Sequence, residues 1–160
     1  MEDDTFYKGF GFNRRTGTVP SGSGAGPSGA ASGSYYLYFE SSIPPSTRPY
    51  GGNAGDEAVL RTIDLDVAGC TVTFDYNMCA TRPAALRVEQ TRCMGDAAVP
   101  LLTLSARNPT SCTASWPSAA VSTVPRTAAE VAAGCKPHLR FVAVHSGSWQ
   151  GDVGLDNIAF

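Results

Sequence analysis

The sequence predicts an all-β domain, an antiparallel sandwich or barrel. Three observations carry that expectation. Short segments alternate apolar and polar residues with a period of two, as half-buried strands require. Glycines and prolines, 17 and 11 of them, punctuate the intervals between those segments. A single short stretch carries helix signals. At 160 residues the chain is read as one domain spanning 1–160, long enough to bury a core.

Residues 16–34, "TGTVPSGSGAGPSGAASGS", have no periodicity. Alone they read as a flexible linker, and between strands as one long loop fixed by its surroundings. "YYLYFES" (35–41) places Tyr35, Leu37 and Phe39 on one face and Tyr36, Tyr38 and Glu40 on the other. "SIPPSTRPYGGNAGDE" is a loop, because its prolines and glycines exclude regular structure. In "RTIDLDV" Ile63, Leu65 and Val67 face inward, and Asp64 and Asp66 outward. "CTVTFDYNM" is the cleanest strand, with Val72, Phe74, Tyr76 and Met78 opposite Thr71, Thr73, Asp75 and Asn77. "AALRVEQ" turns Leu86 and Val88 inward, "VPLLTLSAR" Leu102 and Leu104, and "HLRFVAV" Leu139 and Phe141, with Val142 and Val144 toward the other side. "TAAEVAAG" offers Thr127 as N-cap, Glu130 as its reciprocal partner and Gly134 as the stop of a two-turn helix. In the closing "GDVGLDNIAF", Val153 and Leu155 share one parity and Ile158 and Phe160 the other. A bulge at Asp156-Asn157 absorbs that slip.

Only 16% of residues are charged and the formal net charge is −2, which gives no electrostatic reason to expect a nucleic acid or an anionic membrane as partner. No apolar run approaches the ~18 residues of a membrane helix. The first ten residues, "MEDDTFYKGF", lack the basic and apolar regions of a signal peptide. The chain is therefore either intracellular or the remainder after a leader is removed, and its cysteines favour the second. Cys70, Cys79, Cys93, Cys112 and Cys135 form no CxxC pair, and His138 and His145 are the only histidines, so a zinc site has poor material. Disulfides in an oxidising compartment explain such scattered cysteines, with reduced, buried thiols as the alternative.

The search for catalytic groupings returns little. His138 at a strand entrance and His145 at a strand end read as surface or turn residues. No GxSxG elbow opens a helix. Asp64 and Asp66 lie opposite an apolar stripe, where solvated charges belong, and Asp56-Glu57 occupies a loop. The glycine clusters lack the lysine of a phosphate-binding loop.

The distributed pattern is more informative. "NRRTGTVPSGSGAGPSG", "SGSYYLYFESS", "CTVTFDYNM", "ALRV", "ASWPSA" and "LRFVAVHSGSWQGDVGLDNIAF" follow one another in order. That order resembles the MAM domain, a module of extracellular adhesion and assembly, over about residues 12–160. The resemblance implies a jelly-roll-like sandwich of two antiparallel sheets without catalytic activity. It also implies protein partners or self-association, inside a larger, membrane-associated parent protein. Residues 1–11 lack the family's opening cysteines, and "GAAS" stands where an acidic segment is usual. Cys70 is the matched cysteine. On that basis Cys70 pairs with Cys135 and Cys93 with Cys112, leaving Cys79 free or linked to another chain.

Two functions follow. In a protein-interaction module, Tyr50 and Trp149 are the candidate anchors, whereas Trp116 caps one end of the core. In a carbohydrate-binding module, Trp149 with Gln150, and Tyr36 or Tyr38 on an exposed strand face, supply aromatic platforms and hydroxyl-binding groups. Asp152 and Asp156 are either bulge-satisfying carboxylates or ligands to a structural calcium ion, and the structural role is the expected one. No other cofactor is expected.

Overall fold

A computed structural model describes residues 2–3 (backbone), 11–18, 26–41, 53–62, 65, 69–79, 84–93, 95–105, 115–148 and 150–160. Among the described residues ten strands form two sheets with every pairing antiparallel, as the sequence predicts. The first sheet runs β1 (Glu2–Asp3), β4 (Glu57–Arg61), β9 (His138–Val144), β6 (Ala85–Thr91) and β7 (Val99–Leu104). The second runs β2 (Phe12–Arg15), β3 (Tyr36–Phe39), β10 (Val153–Ala159), β5 (Thr71–Asn77) and β8 (Ser118–Ser122). The chain passes repeatedly from one sheet to the other, so neighbours within a sheet are mostly distant in sequence.

Alternation builds the core between the layers. Val72, Phe74 and Met78 of the second sheet meet Leu86, Val88, Leu139 and Phe141 of the first, all essentially closed to solvent. The Phe74 and Phe141 rings meet edge to face at 5.2 Å across the inter-sheet space. Gln90 also points inward. Its amide donates to the Val124 carbonyl at 2.8 Å and accepts from the Val124 N–H at 2.7 Å, which satisfies a polar group that the core would otherwise strand.

The helix α1 (Ala128–Ala132) forms as its signals predict. Thr127 and Glu130 make the reciprocal capping box, and Gly134 takes φ +69° beyond the C-cap Ala133. Cys135 N–H reaches the Glu130 carbonyl and Gly134 N–H the Val131 carbonyl, closing the helix in a Schellman arrangement. The bulge in β10 is present too: the β10–β5 register shifts between Asp156 and Ala159, and Asn157 sits at φ +50°.

Three expectations need correction. The strand placed at 61–67 lies earlier, as β4, where "EAVLR" alternates against β9; Leu65 is buried as expected, and 63–64 and 66–68 fall outside the described residues. The short strands β2 and β8, "FNRR" and "SAAVS", were not foreseen. The disulfide pairing also differs. Cys93 joins Cys135, not Cys112, because β6 and β9 are neighbours and Thr91 stands opposite His138, bringing the flanking cysteines to a Cα separation of 4.7 Å. Cys70 is therefore not bonded to Cys135 but is a free thiol beside Thr123, its cross-strand neighbour on the β8 side. Cys79 is not free: it is held in a disulfide, and Cys112 lies outside the described residues.

Candidate functional site

The outer face of the second sheet is built unlike an ordinary solvated strand surface. Leu37 and Phe39 turn toward the core, so Tyr36 and Tyr38 turn outward, yet only 3% and 1% of these two residues is exposed. Their expected role as exposed platforms is overturned. The glycine- and serine-rich residues 26–34 lie over them as a strap, together with Trp116, which meets the Tyr36 ring edge to face at 5.7 Å. Trp116 therefore covers this outer face instead of capping the core. Gly154 makes room for it: a Cβ there would stand 2.7 Å from Trp116 Cη2 and 3.2 Å from Pro27 Cγ.

Such a strap cannot pair its backbone with a sheet, so side chains hold it. Trp116 Nε1 donates to the Gly29 carbonyl at 3.2 Å. Asp156 Oδ2 accepts from the Ala31 and Ser32 N–H groups at 2.8 and 3.2 Å. Asn157, turned by its positive φ, accepts from Ser32 Oγ and donates to Asp75 Oδ2, both at 2.6 Å. Ser118 Oγ also donates to Asp75. Burial pushes the Tyr36 hydroxyl above its ordinary value against the pull of Arg15, and that hydroxyl donates to the Gly17 carbonyl at 2.9 Å.

Beyond the strap the face opens. Thr71 and Thr73 on β5 and Ser118, Ala120 and Ser122 on β8 are exposed, with Asp75 half-buried among them and Asn157 at the border. Trp116 thus shares its face with a hydroxyl-rich strip that presents one carboxylate and one amide. Aromatic surface next to such groups is suited to binding a polyhydroxylated ligand.

A second polar cluster lies at the far end of β3. Asp152, wholly buried, accepts from Ser41 N–H and Ser41 Oγ, both at 2.8 Å on Oδ1, and from the Tyr38 hydroxyl on Oδ2. Burial pushes its carboxyl above the ordinary range, opposed by the hydrogen bonds from Tyr38 and Ser41 and reinforced by the charge of Glu40. His145, expected at the surface or in a turn, is 4% exposed. Its Nδ1 accepts from Gly147 N–H at 2.9 Å, which places the proton on Nε2, opposite the Ser41 carbonyl at 2.8 Å. Ser, His and Asp side chains therefore lie together without a nucleophile's wiring. The Ser41 hydroxyl gives its proton to Asp152 and accepts from Gly151 N–H at 2.7 Å, and the imidazole meets Ser41's backbone, not its hydroxyl.

These contacts also describe the candidate calcium ligands. The hydrogen bonds to Asp152 and Asp156 come from N–H and O–H donors, which occupy the oxygens a cation would need. Among the described residues no group of three or more His, Cys, Asp or Glu could hold a metal ion, and this donor-filled set does not fit calcium. Gln150 is half-buried in the turn before β10, its N–H donating to Ser148 Oγ at 3.3 Å. Tyr50 and Trp149 lie outside the described residues.

No family model and no curated relative matches this sequence. Solved structures do share its fold. TmCBM61, solved with β-1,4-galactotriose, superposes with a TM-score of 0.54 at 10% identity, over 98% of this chain and 83% of its own. A cleaved adhesin domain of Lys-gingipain from Porphyromonas gingivalis gives 0.59 at 17% identity, over 98% and 86%. A Stig cyclase from Fischerella sp. TAU gives 0.55 at 17%, over 96% and 76%. The jelly-roll-like sandwich is thereby shared with binding modules and with an enzyme. Among the described residues no helix is long and apolar enough to cross a membrane.

Proposed function

We propose that this domain is a non-catalytic carbohydrate-binding module of an extracellular protein, holding a saccharide along the open strip of its second sheet. The supporting observation is that Trp116, packed over Gly154, shares the outer face of the second sheet with Thr73, Asp75, Ser118 and Asn157, an aromatic surface together with groups that hydrogen-bond sugar hydroxyls. The Cys93–Cys135 disulfide suits an oxidising compartment. Modules named for carbohydrate binding and for adhesion share the fold, and the glycan reading is preferred over MAM-like protein adhesion because the described residues of the strip are mostly hydroxyl-bearing.

A glycan array followed by calorimetry tests this reading. Asp75→Ala is expected to weaken binding at least about tenfold, or ~1.4 kcal/mol. Its melting temperature should fall by no more than about 4 °C, because the hydrogen bonds lost from Ser118 and Asn157 are partly exposed. An array silent for every saccharide overturns the proposal and returns the domain to the protein-interaction class.

A further inference from the structure

We propose a second saccharide contact, formed by Arg14 and Tyr35 at the β2 edge and selective for sugars that carry a carboxylate. This inference rests on the reading of the domain as a glycan-binding module but concerns a different surface. Arg14 has the parity of Phe12 and stands opposite Leu37, whereas the hydroxyl-rich strip lies on the other parity and toward the other edge of the sheet.

The Arg14 guanidinium carbon lies 3.7 Å from the centroid of the Tyr35 ring. Arg14 is exposed, and Tyr35 keeps 51% of its surface open, the largest exposed tyrosine among the described residues. Among the described residues no acceptor meets this guanidinium. Other arginines of the domain are engaged: Arg87 with Glu57 and Glu89, Arg92 with Glu130, Arg140 with Glu89, and Arg126 with the Cys135 carbonyl. The chain carries 14 acidic residues against 12 basic ones, so an arginine left to an aromatic ring is not explained by a shortage of carboxylates.

Chemistry narrows the ligand. A guanidinium held over a ring face at this distance leaves N–H groups at its edge free to meet a planar carboxylate. The face of Tyr35 away from Arg14 suits the apolar C–H face of a pyranose, as aromatic platforms do. A uronic acid presents both features on one ring: a C–H face to stack and a carboxylate at its edge to reach the fork. Arg15 lies on the opposite side, 5.8 Å from the Tyr38 ring, and adds positive potential along the same strand.

Calorimetry with tetragalacturonate and with its carboxyl-reduced, neutral counterpart tests the inference, with a sulfated galactan oligosaccharide as a third probe. The wild-type domain should bind the uronate at least about tenfold more tightly than the neutral form, with affinity falling as salt rises. Arg14→Gln and Tyr35→Ala should each remove that preference, and Arg14→Lys should keep it only in part. Equal binding of the acidic and neutral oligosaccharides overturns this inference and leaves the proposed module standing. Equal or tighter binding of the sulfated probe reduces the contact to a general anion site and overturns the carboxylate selectivity. Failure of the uronate to bind overturns it as well, while the Asp75 experiment decides the module separately.

Discussion

Removing the carboxylate of Asp152 tests how far this fold depends on one buried acceptor. In Asp152→Ala the Tyr38 hydroxyl, the Ser41 N–H and the Ser41 hydroxyl all lose their partner at a place where Tyr38 and Ser41 are 1% and 3% exposed. At about 1 kcal/mol or more for each stranded donor, the variant should lose roughly 3 kcal/mol, or about 9 °C of melting temperature. Asp152→Asn separates the charge from the acceptor. Its amide oxygen keeps both Ser41 bonds, its NH2 can donate to the Tyr38 oxygen, and the change at neutral pH should stay within about 1 kcal/mol. The pH dependence has a definite sign. Burial holds the folded carboxyl above the 3.8 of an unperturbed aspartate, so between those two values the folded state keeps a proton that the unfolded chain has released. Stability from this group is full below the lower value and is lost as pH rises through the upper one. Wild type should therefore gain on Asp152→Asn as pH falls from 7 into that window, measured as paired thermal melts. An Asp152→Ala protein as stable as wild type would refute the reasoning, as would a difference that moves the opposite way with pH.

Other perturbations probe separate joints. Gly154→Ala should push Trp116 and Pro27 off β10 and cost about 1–3 kcal/mol, seen as a lower melting temperature with a changed near-ultraviolet dichroism of the tryptophan. Opening Cys93–Cys135, which spans 42 residues, by a double serine substitution should cost up to about 4 kcal/mol by the loop-entropy account, read from denaturant midpoints. Thr127→Ala should remove one capping bond and cost about 1 kcal/mol, with hydrogen exchange accelerating in 128–132 alone. Gln90→Ala should strand the Val124 N–H and carbonyl and leave a cavity, for a loss of roughly 2–4 kcal/mol in chemical melts.

The strands that alternate strictly were legible because one face of each is buried and the other is not: β5, β6 and β9 keep the inward residues that their parity gives. The capping box and the β10 bulge were legible because each is a local arrangement with its own residue signature. β8 was not, because in "SAAVS" the inward residues are Ala119 and Val121, whose small side chains barely mark a period. β2 offers a single core residue, Phe12. The disulfide was missed for a different reason: pairing follows which strands are neighbours, and the adjacency of β6 and β9 skips two intervening strands. The buried outer face did leave a trace. Tyr36 and Tyr38 alternate with Leu37 and Phe39, so β3 is apolar at both parities, the pattern of a strand covered on both sides.

That double burial explains the polar pair in the last strand. Covering Tyr36 and Tyr38 with residues 26–34 suits small side chains, which let the backbone lie close to the rings, but it leaves strap amides with no strand to pair with. An acceptor must rise from the sheet beneath them, and β10 is central in the sheet. Asp156 takes the Ala31 and Ser32 amides on one oxygen, and on the other the N–H of Asn157. Asn157 enters the left-handed region, which asparagine tolerates better than most residues, and from there its amide reaches both Ser32 and Asp75. The slip in β10 is thus the device that lets consecutive residues serve the same outer face. Replacing Asn157 with valine should cost more than the two lost hydrogen bonds, because a β-branched residue also resists φ +50°. The strap amides should then exchange faster than those of the core strands. Unchanged exchange at Ala31 and Ser32 would mean that Asp156 and the packing on Trp116 hold the strap without Asn157.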